Sequence, residues 1–541
     1  MAQMQQGRVM RAAGFLMATQ IIARGLGWVR DALLLNMFGQ TRITDAYNVA
    51  FKIPDFLYNI IIGGAITAAF IPVFASYLAK QEKENAWQVY SIVVSWCMLL
   101  MGAGVLLAYV FTPQLIAFLA TGFEPEAHLL TVTLTRVMLL QPVFMALAGV
   151  SMGVLNSHQQ FTWPAVGSML YNLFIVLCGF LLSRSIEARF PGFGVAGFSI
   201  GVLAGAIVYF LVQLPALRQV GLCFKLSFNI HHPGFVRLIH LLIPVLVGLS
   251  VQQINQLVNV MLGSSLPRGS IAALNMAQRF MNLPIYVFAT SIAVAMFPSL
   301  TQQAALADMP EFKKSMSLGI RSVAFICIPA AVGLAVLREP IIRLMFEFKG
   351  GQYGAAATSI AGQALLFYCI GIAFYGIVHV LLRSFYSLQN TVTPVLVSVA
   401  TIATNLLFSL LLIRSMYHMG LALAFSIAGI VQCCLLFLLL RRRLGHIDMR
   451  NMLASFLKTG AASLVMGVTA WGLASAIAAV MDVAASKMAQ IIQLGVSMGL
   501  AVAVFFCLAY LLRMEEAKIV VDMFKRRLRR KKRHSIAGEE N

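Results

Sequence analysis

Apolar residues in this chain run in long blocks separated by short polar stretches, with little of the two-residue alternation that marks a half-buried strand. An α-helix needs about 20 apolar residues to cross a bilayer, and the blocks supply such lengths almost end to end. They predict fourteen membrane-spanning helices near 12–38, 44–78, 87–112, 129–155, 163–183, 193–217, 238–262, 270–300, 322–337, 358–382, 392–413, 419–440, 459–481 and 488–512. The second is long enough to bend, with Pro54 and Gly63-Gly64 as the expected bend points.

The composition agrees. Of 541 residues, 60% are hydrophobic and 11% charged, with a mean hydropathy of +0.85, whereas soluble domains are about a quarter charged. A soluble enzyme, a disordered scaffold and an outer-membrane barrel, which would show short alternating segments, are excluded. Met1–Arg11 leads directly into a full-length span, so no cleaved signal peptide is expected. With the N-terminus inside, the cytoplasmic segments hold 26 Lys and Arg and the outer loops 9, five more lying within spans. The positive-inside rule therefore predicts both termini in the cytoplasm. The C-terminal cluster Lys525–Arg533 reads as a topology anchor or an anionic-headgroup contact.

The sequence repeats itself. Ala46–Lys52 matches Ala273–Arg279 at an offset of 227, and Pro113 matches Pro340 at the same offset. Ser157, Gln159 and Pro164 match Ser387, Gln389 and Pro394 at 230, and Phe70-Ile-Pro72 resembles Met296-Phe-Pro298 at 226. Six spans per period give the copies one orientation, as in parallel-repeat transporters. The expected architecture is an all-α polytopic membrane protein: an N-lobe over 1–225, a C-lobe over 226–450, two added helices over 451–513 and a basic tail over 514–541.

Candidate chemistry lies in charges placed where they are costly. An Arg or Asp at mid-span costs roughly 2.5–3.5 kcal/mol on translocon scales, so such groups normally face a bundle interior or water. Arg24 and Asp31 stand seven apart in the first span, with Arg30 about 120° from Arg24 in an ideal helix. Asp45, Asn48, Lys52 and Asn59 form a stripe in the second span, and Asn275, Arg279 and Asn282 another in the eighth. The seventh carries Gln252, Asn255, Gln256 and Asn259. Polar residues in spans also glue helices or snorkel to the interface; Arg136 fits that reading, and Lys52 and Asp55 fit either. Arg24, Arg30 and Arg279 together point to a cationic cavity for an anion, and forked guanidinium donors suit phosphate.

Nothing in the sequence looks catalytic. The eight cysteines show no metal or redox spacing, and His231-His232 reads as a solvated loop pair. His379 reads as a hydrogen-bonded core histidine. No cofactor and no resident metal are expected. The small-residue runs of the last two spans suit close helix packing first and a lipid-tail groove second.

Arg24-Gly-Leu-Gly-Trp-Val-Arg-Asp31, Thr44-Asp-Ala46 with Phe51-Lys-Ile-Pro54, Gly64-Ala65 through Ala69-Phe-Ile-Pro72, Gly153-Val-Leu-Asn156, Arg279 before Pro284, and Phe297-Pro-Ser-Leu300 together resemble the MurJ/MviN lipid II flippase family. The resemblance implies the multidrug/oligosaccharidyl-lipid/polysaccharide exporter fold, alternating access and a role in peptidoglycan biosynthesis and cell shape at the inner membrane. It implies lipid II, an undecaprenyl-pyrophosphate-linked precursor, as substrate, with Arg24, Arg30 and Arg279 on its pyrophosphate. Asp31 and Asp45 match acidic cavity positions, Lys52, Asn48 and Asn275 complete the expected binding set, and the last two spans would take the polyprenyl tail. Expected partners are lipid II, membrane lipids and cell-wall synthesis proteins, with a monomeric chain and no nucleic acid. Where many relatives carry Arg-Arg and Glu-Gly-Ala in span two, this chain has Tyr58-Asn59 and Gly63-Gly64-Ala65, and Gln278 and Asn282 replace acids beside Arg279; Asn259 takes the place of a span-seven Asp that lies in a sodium site in some relatives, which makes Asn255 and Asn259 the sodium candidates the resemblance implies. A flippase for another polyprenyl-pyrophosphate-linked glycan, or a multidrug exporter of the superfamily, is the alternative.

Overall fold

The computed structural model describes residues 2–61, 69–445, 447–483 and 486–517, and every regular element among them is a helix. Gly63, Gly64 and the cluster Lys525–Arg533 lie outside the described residues, as does the side chain of Gln252. Among the described residues ten helices are long and apolar enough to cross a membrane: the chain is a multi-pass membrane protein. Three of the fourteen predicted segments, the first, second and seventh, fall on helices outside those ten. Two others, the eleventh and twelfth, share one helix over Val392–Leu444 that breaks at Tyr417 (φ 50°).

Two compact units divide the chain: Met1–Ala272 with Gly350–Gly354, and Ala273–Lys349 with Ala355–Asn541. The first holds α1 (Ala2–Phe38), α2 (Arg42–Ala50), α3 (Lys52–Ile61), α4 (Ile71–Ala79), α5 (Lys83–Val110), α6 (Thr112–Leu119), α7 (Pro125–Met138), α8 (Gln141–Ser157), α9 (Thr162–Arg189), α10 (Ala196–Leu211), α11 (Leu214–Gln219) and α12 (Pro233–Ser264). At the boundary starts α13 (Ser270–Pro284). The second unit continues with a π-helical turn (Ile285–Ala289), α14 (Thr290–Ala305), α15 (Met309–Val336), α16 (Arg338–Phe346), α17 (Ala355–Ser387), α18 (Val392–Leu444), α19 (Met449–Val480) and α20 (Lys487–Leu511). The first unit extends to Ala272 because α12 packs on its α3, α5 and α6.

The duplication is visible element by element. Helices α5 and α15 are both 28 residues long and begin 226 apart. Each follows a helix closed by a left-handed residue, Gln81 (φ 60°) and Ala307 (φ 56°). Gln159 (φ 60°) and Gln389 (φ 56°) repeat the device 230 apart. At all four ends an amide bonds back five residues, as in Glu82 N to Tyr77 O (3.0 Å), Asp308 N to Gln303 O (2.9 Å), Gln160 N to Leu155 O (2.8 Å) and Asn390 N to Phe385 O (3.0 Å). This closure satisfies carbonyls that a helix end would otherwise leave open.

Bends follow proline. Pro54 lacks an amide hydrogen and crowds the carbonyl four residues back, and the chain breaks between Ala50 and Lys52, so Pro54 lies in the first turn of α3. Pro284 precedes the π-helical turn in the same way. Small residues set close helix approaches: a Cβ on Gly205 of α10 would lie 2.7 Å from the Tyr171 carbonyl oxygen of α9. In the second unit, Ala462, Met466, Ala470 and Ala474 of α19 and Ala501, Phe505 and Ala509 of α20 form four-residue stripes in a core with Phe325 of α15. Without a solvent-driven hydrophobic effect, such close packing is a main source of helix association in lipid.

The stretch ahead of α12 is strapped to α5: the amides of Lys225 and Ser227 donate to Ser91 Oγ and Ser95 Oγ, both at 3.1 Å. His232 corrects the expectation of a solvated loop pair. It is 9% exposed and caps α12, Nδ1 accepting from the Gly234 amide at 3.1 Å. Burial pushes His232 below its ordinary value of 6.5, and the capping role needs an unprotonated Nδ1. A depressed histidine contributes stability that is complete above 6.5 and lost as pH falls through the folded-state value. The melting-temperature advantage of the wild type over His232→Asn, which keeps a cap without titrating, should shrink on acidification below about pH 6.5. A difference independent of pH would contradict the capping role.

Candidate functional site

The predicted polar positions divide between accessible stripes and buried structural contacts. In α13, Asn275, Gln278 and Asn282 are half-buried and Arg279 is exposed, while Ala273, Met276, Ala277, Phe280 and Met281 are buried. Polar and apolar residues thus take opposite faces of one helix. An exposed guanidinium on a membrane helix is stable only where water or another polar group reaches it. The π-helical turn after Pro284 lies directly below this stripe; widened turns of this kind occur often at functional sites.

In α1, Arg24 is exposed and Arg30 half-buried. Arg30 bonds its neighbour: Nε and Nη2 both lie 3.1 Å from Asp31 Oδ1. Helix α1 packs along α9, where a Cβ on Gly27 would stand 3.7 Å from Asn172 Oδ1. Tyr171 of α9 accepts from Gln141 Nε2 at 3.4 Å. Neither Tyr171, Asn172 nor Gln141 stood out in the sequence, where single polar residues in apolar helices carry no spacing signal.

Asn48 and Lys52 are half-buried, and Asn48 Nδ2 donates to the Thr44 carbonyl at 2.8 Å within its own helix. Asn259 does the same toward the Asn255 carbonyl, at 3.0 Å. Among the described residues no group of three or more His, Cys, Asp or Glu side chains could hold a metal ion.

Asp45 departs from the expected open stripe. It is fully buried, and its carboxylate accepts from the Gly269 amide at 2.7 Å (Oδ2) and from the Ala272 amide at 2.9 Å (Oδ1). These are amides at the start of α13, whose first-turn N–H groups have no intrahelical partner. A carboxylate there is favoured by charge-assisted hydrogen bonds and by the helix dipole. Arg42, which the sequence reading passed over, stands 3.7 Å from Asp45 and donates to the Ser264 and Leu266 carbonyls, each at 3.4 Å. Gly269 turns with φ +83° where a Cβ would meet the Gln40 carbonyl at 2.4 Å, so only glycine fits. On the exposed side Arg268 pairs with Glu124 at 2.7 Å; that hydrogen bond holds Glu124 below the usual carboxylate range and raises Arg268. The 264–272 turn is therefore fixed on several sides, and it sets the start of the helix that carries Asn275 and Arg279.

Removing the clamp has a defined cost. Asp45→Ala leaves two buried amides without acceptors, at about 1–3 kcal/mol each, and should lower the melting temperature of the solubilised protein by several degrees. Asp45→Asn, which keeps an acceptor oxygen, should lose less. Equal melting temperatures for wild type and Asp45→Ala would remove Asp45 from this role.

A family model described as "Lipid II flippase MurJ" matches residues 34–491. The lipid II flippase MurJ of Burkholderia cenocepacia is 26% identical over 461 residues, covering 83% of this chain and 87% of that protein. The probable lipid II flippase MurJ of Vibrio cholerae is 30% identical over 444 residues, covering 80% and 82%. A solved structure of lipid II flippase MurJ in an inward closed conformation superposes with a TM-score of 0.75 at 26% identity, over 92% of this chain and 98% of that one. An inward-facing multidrug transporter of the MATE family shares the fold, with a TM-score of 0.65 at 15% identity over 79% and 98%. With a family match over most of its length, this chain belongs to the lipid II flippase MurJ family.

Proposed function

We propose that the chain carries lipid II from the inner to the outer leaflet of the bacterial cytoplasmic membrane by alternating access, with both termini in the cytoplasm. No covalent chemistry is involved. The observation that carries this reading is the accessible Asn275–Arg279–Asn282 face of α13 in a chain of this family. Arg24, Arg30 and Arg279 hold the pyrophosphate, Lys52, Asn48 and Asn275 add polar contacts, and the polyprenyl tail stays in the bilayer beside α19 and α20. Asp45 serves this site by fixing the start of α13 and not by touching the substrate.

A carrier has to let go as well as bind. Guanidinium groups in a site shielded from water would hold a diphosphate too firmly to release it, because Coulomb attraction strengthens as the dielectric falls. Asp31 tempers Arg30: with Nε and Nη2 already engaged, Arg30 offers the substrate fewer donors and less net charge. A membrane potential can help reset the empty carrier, since each charge that crosses the field is worth roughly 2.3 kcal/mol per 100 mV.

Lipid II flipping by protein reconstituted in vesicles tests this reading. Arg24→Ala, Arg30→Ala and Arg279→Ala should each cut transport by about tenfold or more, a loss of one strong charge-assisted contact, with the protein still folded in the membrane; Arg30→Ala, which removes the ion pair with Asp31, should also lower the melting temperature. Asp31→Asn should bind lipid II more tightly yet turn over more slowly. Full transport by all three arginine variants would refute the cationic grip.

A further inference from the structure

Where α15 and α19 begin and α20 ends, the second unit forms a basin of about 790 Å³, within the range of small-ligand sites. Five basic and three acidic side chains line it. The acids are already engaged. Glu515 and Glu516 pair with Arg321 at 2.6 and 3.0 Å, Glu516 also accepts from Ser455 Oγ at 3.0 Å, and Asp448 caps α19 by accepting from the Asn451 amide at 3.3 Å. Lys314 is paired with Glu311 at 3.2 Å. Three cations remain for a ligand. Lys458 donates to the Leu512 carbonyl at 3.2 Å, and Lys313 and Arg513 have no partner among the described residues.

A second, more apolar cavity of about 440 Å³ adjoins this basin, sharing Leu318 and Glu516 with it. Ile292 and Met296 of α14 and Phe325 and Ile326 of α15 form its walls, with Ser322 between them. A free phosphate would use the basin alone. A molecule with an anionic head and an apolar chain would use both, and basic pockets at the ends of membrane helices suit lipid headgroups.

We propose that this basin binds the phosphate headgroup of an anionic glycerophospholipid through Lys313, Lys458 and Arg513, with an acyl chain in the adjoining slot. The site is assembled within the second unit and shares no residue with the arginine set assigned to transport.

Native mass spectrometry of the full-length protein with dioleoylphosphatidylglycerol, dioleoylphosphatidylcholine and glycerol 1-phosphate tests the assignment. The anionic lipid should bind at least about tenfold more tightly than the zwitterionic one, and Lys313→Ala/Lys458→Ala/Arg513→Ala should remove that preference. Lys313→Arg/Lys458→Arg should keep it, as should Lys80→Ala/Lys83→Ala, which removes two exposed cations elsewhere. Ser322→Phe, which fills the slot, should weaken the lipid and spare glycerol 1-phosphate. Undiminished lipid preference in the triple variant would overturn the proposal, as would competition by glycerol 1-phosphate as strong as that by the lipid, which would mark a soluble-phosphate site.

Discussion

One buried carboxylate organises the region on which this account rests. Asp45 is fully buried and takes up two amides at the start of α13. An unpaired carboxylate in that position would be prohibitively costly to desolvate, and unpaired amides would each cost about 1–3 kcal/mol. Each group therefore depends on the other. Arg42 adds two carbonyl contacts to the same turn, and Gly269 allows a backbone approach that any side chain would block. The result is a rigid start for a helix whose later turns carry Asn275 and Arg279. In the function proposed above the arginine needs that precision, because a guanidinium whose anchorage drifts by an ångström loses its forked geometry toward phosphate.

The same economy governs the other charges. Arg30 and Asp31 satisfy each other on α1, and Arg321 is held between two glutamates beyond the end of α20. In each case an acid removes part of the cost of a cation near or within the membrane and sets how much positive charge is left over. The surplus, more than the number of basic residues, decides where an anion binds. At the basin the surplus lies on Lys313, Lys458 and Arg513.

Much of this could be read from the sequence because membrane helices obey a strict rule: backbone groups must be satisfied within the segment, so long apolar runs are helices. The all-helical fold, the duplication and the polar stripe of α13 follow from that rule and from helical spacing. Asp45 was found but placed in the wrong company. Helical periodicity puts it on a stripe with Asn48 and Lys52, yet its partners are amides 224 and 227 residues away, and no local pattern encodes a contact that distant. Arg42 was overlooked because an arginine beside a predicted span looks like an ordinary interfacial charge. The cap made by His232 was hidden for a related reason: histidine is an uncommon cap, and only burial distinguishes it from its exposed neighbour His231. The basin at the ends of α15, α19 and α20 draws residues from three distant segments, each unremarkable alone.

The central claim is that this chain brings lipid II to the outer leaflet. The most direct measurement is to deplete the protein in its own bacterium and determine, with a membrane-impermeant reagent, the fraction of lipid II reachable from outside. The account predicts that lipid II accumulates and becomes inaccessible as the protein is lost, and that restoring the wild-type chain returns it to the outer leaflet. An unchanged accessible fraction after complete depletion would contradict it.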